Sequence, residues 1–169
     1  LPLNEGVPAG LSQLASAQLA RMTVVHQCGD RHFEVTREAY AATEPASVDV
    51  QPFIKDMAAA YASADLVVCR AGALTIAELA ITATPAILVP LPHAIDDHQT
   101  RNAMHLSEAG AGYLLPQGDM TSARLAELFT TLLDDPVKLM DMSDRARSVA
   151  MPGACERVID ILEEVARGR

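Results

Sequence analysis

The sequence predicts an α/β fold, a doubly wound parallel sheet of Rossmann type, and three observations lead to that prediction. Short apolar, β-branched runs alternate with segments whose apolar residues recur at helical spacing. The chain has 169 residues, half of them hydrophobic, which suits about one compact domain. No apolar run approaches the roughly 20 residues that a membrane-spanning helix needs. Strands linked by helices form right-handed βαβ units, so we expect a parallel sheet covered on both faces.

The N-terminal part begins with a helix and continues with two strands. Apolar residues at helical spacing predict the first helix over Leu11–Ala20, and a β-branched run predicts a strand over Met22–Cys28. A second helix is predicted over His32–Thr43, because a proline follows closely. The run VDVQPFI predicts a strand over Val48–Ile54, whose proline indicates a strand end or a bulge.

The central part repeats this alternation. An Ala-rich stretch predicts a helix over Asp56–Ala64, and the apolar run DLVVC predicts a buried strand over Asp65–Cys69. The next helix is predicted over Ala73–Ala83, and PAILVP predicts a strand over Pro85–Pro90. A helix over Asp96–Ala109 completes this part.

The C-terminal part changes character after one more strand, which we predict within Gly110–Pro116. Helical spacing then predicts three helices, separated by prolines, over Thr121–Asp135, Val137–Ala150 and Ala154–Arg167. We therefore predict one domain over residues 1–169, with 121–169 as a helical C-terminal tail.

The predicted order begins with a helix, LPLNEGVPAGLSQLA, and no strand stands before it. A doubly wound domain usually begins with a strand and a phosphate-binding turn. We therefore expect the first strand to be missing and the domain to be partial. The unpaired sheet edge that results would offer a place for self-association.

Charge and cysteine content exclude several function classes. A net charge of −9 argues against nucleic-acid binding, since phosphate backbones require clustered Lys and Arg. The three cysteines lack CxxC spacing, so neither a disulfide framework nor a zinc site is predicted. No metal and no cofactor are expected, and a reducing compartment is the simpler assignment.

Ligands of open parallel sheets bind at the carboxyl ends of strands, so the strand-to-helix turns are the candidate sites. In the first turn, Phe53 and Ile54 end a predicted strand. Asp56 could belong to a site there or could simply cap the next helix.

The second turn, CRAGALTIAE, places small residues and a helix start after a buried strand. Free N–H groups and the positive end of the helix dipole suit a phosphate there. Glu78 lies three residues after Thr75, on the same face, and its carboxylate could accept hydrogen bonds from two sugar hydroxyls. The alternative is a simple capping arrangement, and the residues alone leave both open.

The third turn contains acidic residues and amides. Asp96, Asp97 and His98 resemble a metal cluster, but acidic residues at a helix start more often act as caps. Gln99 and Asn102 are three residues apart, so their amides would face the same way and could bind sugar hydroxyls.

Three motifs carry a resemblance to a known family. The segments FIKDM, CRAGALT and DDHQTRN, in this order and at this spacing, closely resemble the C-terminal half of the MurG family, glycosyltransferase family 28. The resemblance covers nearly the whole chain. Ala71 stands where the family often has Ser, and Thr84 where a Gly-x-Pro sequence is commoner, but neither change obviously removes a ligand contact.

The resemblance implies the donor-binding C-terminal half of a two-domain GT-B glycosyltransferase. Such enzymes transfer N-acetylglucosamine, with inversion, from UDP-N-acetylglucosamine to lipid I, and so form lipid II in peptidoglycan synthesis. They are cytoplasmic and peripheral on the inner face of the bacterial cell membrane. Their N-terminal domain supplies the acceptor groove and the proposed base, so no catalytic residue is expected in this chain, which alone should be inactive.

The resemblance also implies a role for each donor-site residue. Ile54 would read uracil with its backbone, the start of the helix at Ala73 would hold the diphosphate and donor sugar, and Glu78 would hold the ribose. Gln99 and Asn102 would address N-acetylglucosamine. The complete implied set is Phe53, Ile54, Ala73, Leu74, Thr75, Ile76, Ala77, Glu78, Gln99 and Asn102.

Two other readings stay open at this point. The chain could be a stand-alone UDP-N-acetylglucosamine-binding subunit of a two-subunit transferase, although such a subunit would need its own phosphate loop. It could also be an epimerase-like enzyme acting on a nucleotide sugar, which would require catalytic carboxylates and a histidine in a cleft.

Overall fold

A computed structural model of the chain describes residues 1–43, 45–92 and 97–167. Strands β1 to β5 span Thr23–Gln27, Ser47–Gln51, Val67–Cys69, Ala86–Leu88 and Gly112–Leu114. Helices α1 to α9 span Pro2–Leu11, Ser16–Leu19, Phe33–Tyr40, Met57–Ser63, Ala73–Ile81, His98–Glu108, Ser122–Leu133, Pro136–Ser148 and Ala154–Ala166. The predicted alternation of strands and helices is confirmed, with small shifts at the element ends.

The first predicted helix is wrong as a single element. The structure ends α1 at Leu11 and begins α2 at Ser16, with a turn between them. Leu11, Leu14 and Leu19 are all buried in the same core, and the turn allows residues on both sides of it to point inward. The helical spacing of apolar residues therefore predicts correctly which residues are buried, but it does not predict the turn between α1 and α2.

The strands are parallel, as predicted, but they form two sheets. β1 pairs with β2, and β3, β4 and β5 pair in that order. In the described part of the chain no backbone ladder joins β1 or β2 to the other three strands. Both sheets still contribute to one hydrophobic core, which contains Val24, Val48, Val68 and Ile87. The α/β, doubly wound class is confirmed, whereas the expectation of one continuous sheet is not.

The central strand of the three-stranded sheet is buried on both faces. The side chains of Ile87, Leu88 and Val89 are completely buried, as expected for a parallel strand covered on both faces. Two of the C-terminal helices also belong to this core, through Leu125, Phe129 and Leu132 of α7 and Met142 of α8. In contrast, α9 leaves apolar residues exposed, among them Val158, Ile161, Leu162 and Val165.

A buried polar chain joins α1, β1 and α3. Asn4 Nδ2 donates to the carbonyl of Cys28 at 3.0 Å, which orients its Oδ1 toward His26 Nε2 at 3.1 Å. Nε2 must then carry the proton, so Nδ1 accepts from the Tyr40 hydroxyl at 2.7 Å. Burial lowers the pKa of His26, which is consistent with a neutral ring in this network.

In the described ranges, none of the helices combines the length and the apolar character that crossing a bilayer requires.

Candidate functional site

Helix α5 begins at Ala73, in the predicted second turn, and three residues separate it from the end of β3. Its N-cap is Gly72, in extended conformation, and the N–H of Ile76 donates to the Gly72 carbonyl at 3.0 Å. The N–H groups of Ala73, Leu74 and Thr75 precede that first helical bond, so they point out of the helix start. The Leu74 side chain is 80% exposed, which leaves this backbone open to a ligand. The helix start can therefore receive an anion.

Neither Thr75 nor Glu78 caps the start of α5, where no side-chain cap hydrogen bond forms, whereas a favourable effect of the Glu78 charge on the first turns stays an alternative. A capping box needs the hydroxyl at the N-cap and the carboxylate three residues later. Here Gly72 is the N-cap, so Thr75 and Glu78 lie inside the helix, one turn apart on one face. Glu78 is exposed and Thr75 is half-buried. The carboxylate is therefore available to a ligand rather than used for the helix end.

The buried Tyr61 interacts with this pair, although it was not predicted from the sequence. The Tyr61 side chain on α4 is only 6% exposed, and its phenol interacts with the side chains of Glu78 and Thr75. Burial raises the pKa of Tyr61 to about 12, with smaller contributions from Cys69 and Glu78. The phenol therefore stays protonated near neutral pH and can donate toward the carboxylate.

The β2 to α4 turn brings Ile54 next to the end of β1. The Ile54 N–H donates to Oε1 of Gln27 at 2.9 Å, and Phe53 beside it is 66% exposed. Asp56 accepts from the N–H of Ala59 at 2.9 Å, so the capping interpretation of Asp56 is confirmed. Gln27 was not among the predicted residues, although its position as a polar residue at the carboxyl end of a strand is a signal for such a site.

The side-chain amides of Gln99 and Asn102 on α6 each form a hydrogen bond with a backbone group that follows a strand. Gln99 Oε1 accepts from the N–H of Leu91 at 2.9 Å, and Asn102 Nδ2 donates to the carbonyl of Ala71 at 3.0 Å. Asn102 therefore attaches α6 to the segment that opens α5. Each amide keeps further hydrogen-bonding capacity, because a primary amide has two N–H donors and an oxygen with two lone pairs.

Arg70 directly follows β3, and its side chain forms hydrogen bonds to the segments that follow β4 and β5. Its guanidinium donates to the carbonyls of Val89 and Pro90 at 3.2 and 3.1 Å, and to Oε1 of Gln117 at 2.6 Å. These partners follow β4 and β5, respectively. Arg70 therefore fixes the carboxyl-end loops on which the candidate site is built, and only a fork of rigidly spaced donors could reach all three.

The predicted residues are not equivalent in this arrangement. Ala73, Leu74, Ala77 and Glu78 are exposed, whereas the Ile76 side chain is buried in the core. Asp96 lies outside the described residues. Asp97 is the N-cap of α6 in left-handed conformation, and its carboxylate accepts from the Thr100 hydroxyl at 2.6 Å.

Comparisons with known proteins identify the family of the chain. The family model described as "Glycosyltransferase family 28 C-terminal domain" matches residues 1–158. The enzyme named UDP-N-acetylglucosamine--N-acetylmuramyl-(pentapeptide) pyrophosphoryl-undecaprenol N-acetylglucosamine transferase from Pseudomonas paraeruginosa is 53% identical over 167 residues. The alignment covers 99% of this chain and 46% of that protein. The enzyme of the same name from Stutzerimonas stutzeri gives the same identity and coverage.

Solved structures give the same assignment at the level of fold. The crystal structure of Acinetobacter baumannii MurG is 43% identical, with a TM-score of 0.89, and covers 96% of this chain and 48% of that one. The spinosyn forosaminyltransferase SpnP is 17% identical, with a TM-score of 0.60, over 90% of this chain and 46% of that one, which supports the fold alone. The chain thus spans about half the length of the relatives it matches. Since the family model covers nearly all of its residues, the chain belongs to the family of glycosyltransferase family 28 C-terminal domains.

Proposed function

We propose that the chain is the donor-binding half of an inverting glycosyltransferase that moves N-acetylglucosamine from UDP-N-acetylglucosamine to lipid I, forming lipid II. The observation that carries the proposal is the open start of α5, with the exposed carboxylate of Glu78 one turn beyond Thr75. The names of the relatives, which are N-acetylglucosamine transferases, support the same donor.

Each part of the donor has a counterpart in the described residues. The N–H groups of Ala73, Leu74 and Thr75 and the helix dipole would hold the diphosphate. Glu78, supported by the Tyr61 phenol, would accept from the two ribose hydroxyls. The backbone of Ile54 would read uracil.

The sugar and the rest of the transfer site follow from the same arrangement. Gln99 and Asn102 would use their remaining donor and acceptor capacity on N-acetylglucosamine. Phe53, Ile76 and Ala77 complete the proposed site as neighbours of the contacting residues.

Chemistry in this proposal is divided between two domains. Charge builds up on UDP as the glycosidic bond breaks, and the start of α5 would stabilise that charge. The base that deprotonates the acceptor hydroxyl, and the groove for lipid I, would come from an N-terminal domain, in line with relatives of about twice the length. Such an enzyme would act at the inner face of the bacterial membrane. Self-association through the unpaired edges of strands such as β1 and β3 stays a prediction.

Titration calorimetry with UDP-N-acetylglucosamine tests the donor site. We expect Glu78→Gln to weaken binding by about 1–3 kcal/mol, the range for losing a charge-assisted hydrogen bond. Glu108→Gln is the matched control, because Glu108 is an exposed carboxylate at the far end of α6. Equal affinities of the wild type and Glu78→Gln would contradict the ribose role. Isomerisation or hydrolysis of the donor by the chain without acceptor would instead favour the epimerase-like alternative.

A further inference from the structure

The side chain of Gln27 occupies the hydrogen-bonding position that the proposed function assigns to the base. Gln27 is the last residue of β1 and is exposed, and its Oε1 lies 2.9 Å from the backbone nitrogen of Ile54. Gln27 and Ile54 are far apart in the chain, so the contact exists only in the folded protein. It joins an exposed side chain to a backbone donor at the carboxyl end of the sheet.

Other bonds hold the same loop in place. Past the end of the β1–β2 ladder, the N–H of Cys28 donates to Gln51 and the N–H of Gly29 donates to Pro52, both at 3.0 Å. On the far side, Asp56 caps α4. The loop from Pro52 to Asp56 is therefore anchored at both ends without Gln27. Breaking the Gln27 contact would free the N–H of Ile54 without releasing the backbone that carries it.

The chemistry of the contact is that of a pyrimidine carbonyl. An amide oxygen and the C4 oxygen of uracil are both planar sp² acceptors beside an N–H group, and both accept along the same directions. One N–H makes one well-aligned hydrogen bond, so Gln27 and a base carbonyl cannot both take it. An exposed glutamine can move into water, where its amide is solvated again.

From this geometry we propose that Gln27 is an internal competitor of the nucleotide base: its side-chain carbonyl occupies the Ile54 N–H until a uracil carbonyl displaces it. The inference rests on the proposed function, because it takes Ile54 as the residue that reads the base. Without a nucleotide, Gln27 satisfies the N–H of Ile54. The apparent affinity for the nucleotide is then reduced to the fraction of molecules in which Gln27 does not hold this N–H. Gln27 would therefore contribute to ligand specificity, because only a ligand that offers an acceptor replaces the hydrogen bond that Gln27 gives up.

The alternative role for Gln27 is structural, in which its hydrogen bond stabilises the loop in the conformation that binds the nucleotide. The two roles predict opposite changes in nucleotide affinity. Removing a competitor strengthens nucleotide binding, whereas removing a stabilising contact weakens it.

Calorimetric titration of the full-length native polypeptide with UDP and with CDP distinguishes them. We expect Gln27→Met, which keeps the length of the side chain but removes the acceptor, to bind UDP about two- to ten-fold more tightly, the range of one net hydrogen bond. Gln51→Met is the matched control, because Gln51 pairs with Gln27 in the β1–β2 register and its amide donates to Asp49 instead. We expect this control to bind UDP as the wild type does.

Each other outcome counts against a defined part of the reasoning. Unchanged or weaker UDP binding by Gln27→Met, or an equal gain in Gln51→Met, would overturn the competitor role while leaving the donor site intact. Wild-type protein that binds UDP no better than CDP would overturn base reading by Ile54, since cytosine offers an amino donor where uracil offers an acceptor. Circular dichroism of Gln27→Met serves as the folding check, and its exposed position predicts a native spectrum.

Discussion

The close crossing of α1 over α7 allows a stability prediction to be worked out from distances. A Cβ added at Gly10 would lie 2.7 Å from Leu125 Cβ and 3.3 Å from Phe129 Cε2. The first of these atoms is fixed to the α7 backbone, so no side-chain rotation relieves the clash. A Cβ at Gly6, on the same helix, would meet Met120 Cε at 3.0 Å, which is the far end of a flexible side chain.

Both glycines lie inside α1, so Ala should gain about 0.8–1.0 kcal/mol of helix propensity at each position. At Gly10 this gain is opposed by overpacking, which costs about 1–3 kcal/mol in a packed core. We therefore expect Gly10→Ala to be less stable than Gly6→Ala by roughly 1–3 kcal/mol. Urea unfolding followed by circular dichroism measures the difference directly. Equal stabilities, or a more stable Gly10→Ala, would refute the claim that this crossing requires glycine.

Two further predictions concern the polar contacts of the fold. Because folding lowers the pKa of His26 from its ordinary value of 6.5, the unfolded chain binds the proton more tightly, and stability should fall as pH drops below about 6.5. Urea midpoints between pH 7.5 and 5 should show this slope, and a His26→Gln variant that keeps it would contradict the assignment. Arg70→Lys should lose about 1–2 kcal/mol of stability, since an ammonium cannot reach Val89, Pro90 and Gln117 together. Unfolding that matches the wild type would disprove this strand-end role.

The candidate site consists largely of backbone groups, and side chains of neighbouring elements hold these backbone segments in place. Asn102 binds the carbonyl of Ala71 before α5, and Gln99 binds the N–H of Leu91 after β4. Side chains that position the loops are therefore as important here as those that would touch a ligand. Tyr61 belongs to the same group, because its buried phenol interacts with the side chain of Glu78.

The sequence by itself determined the features that depend on neighbours along the chain. The start of α5 after Gly72, the shared face of Thr75 and Glu78, and the cap at Asp56 all follow from local spacing. The parallel α/β class also follows, because the alternation of short apolar runs and helices permits few other topologies. Three short motifs were enough to indicate the family.

Only the tertiary structure decided which distant residues meet. The contact of Gln27 with Ile54, the interaction of buried Tyr61 with Glu78 and the division of the strands into two sheets involve residues far apart in the chain. The turn between α1 and α2 is also set by tertiary packing, since it allows Leu11 and Leu14 to be buried in the same core. Hydrophobic periodicity reports which face of an element is buried, but it does not encode the partner. Partners are set by the packing of elements, where one hydrogen bond or one methyl group decides between arrangements.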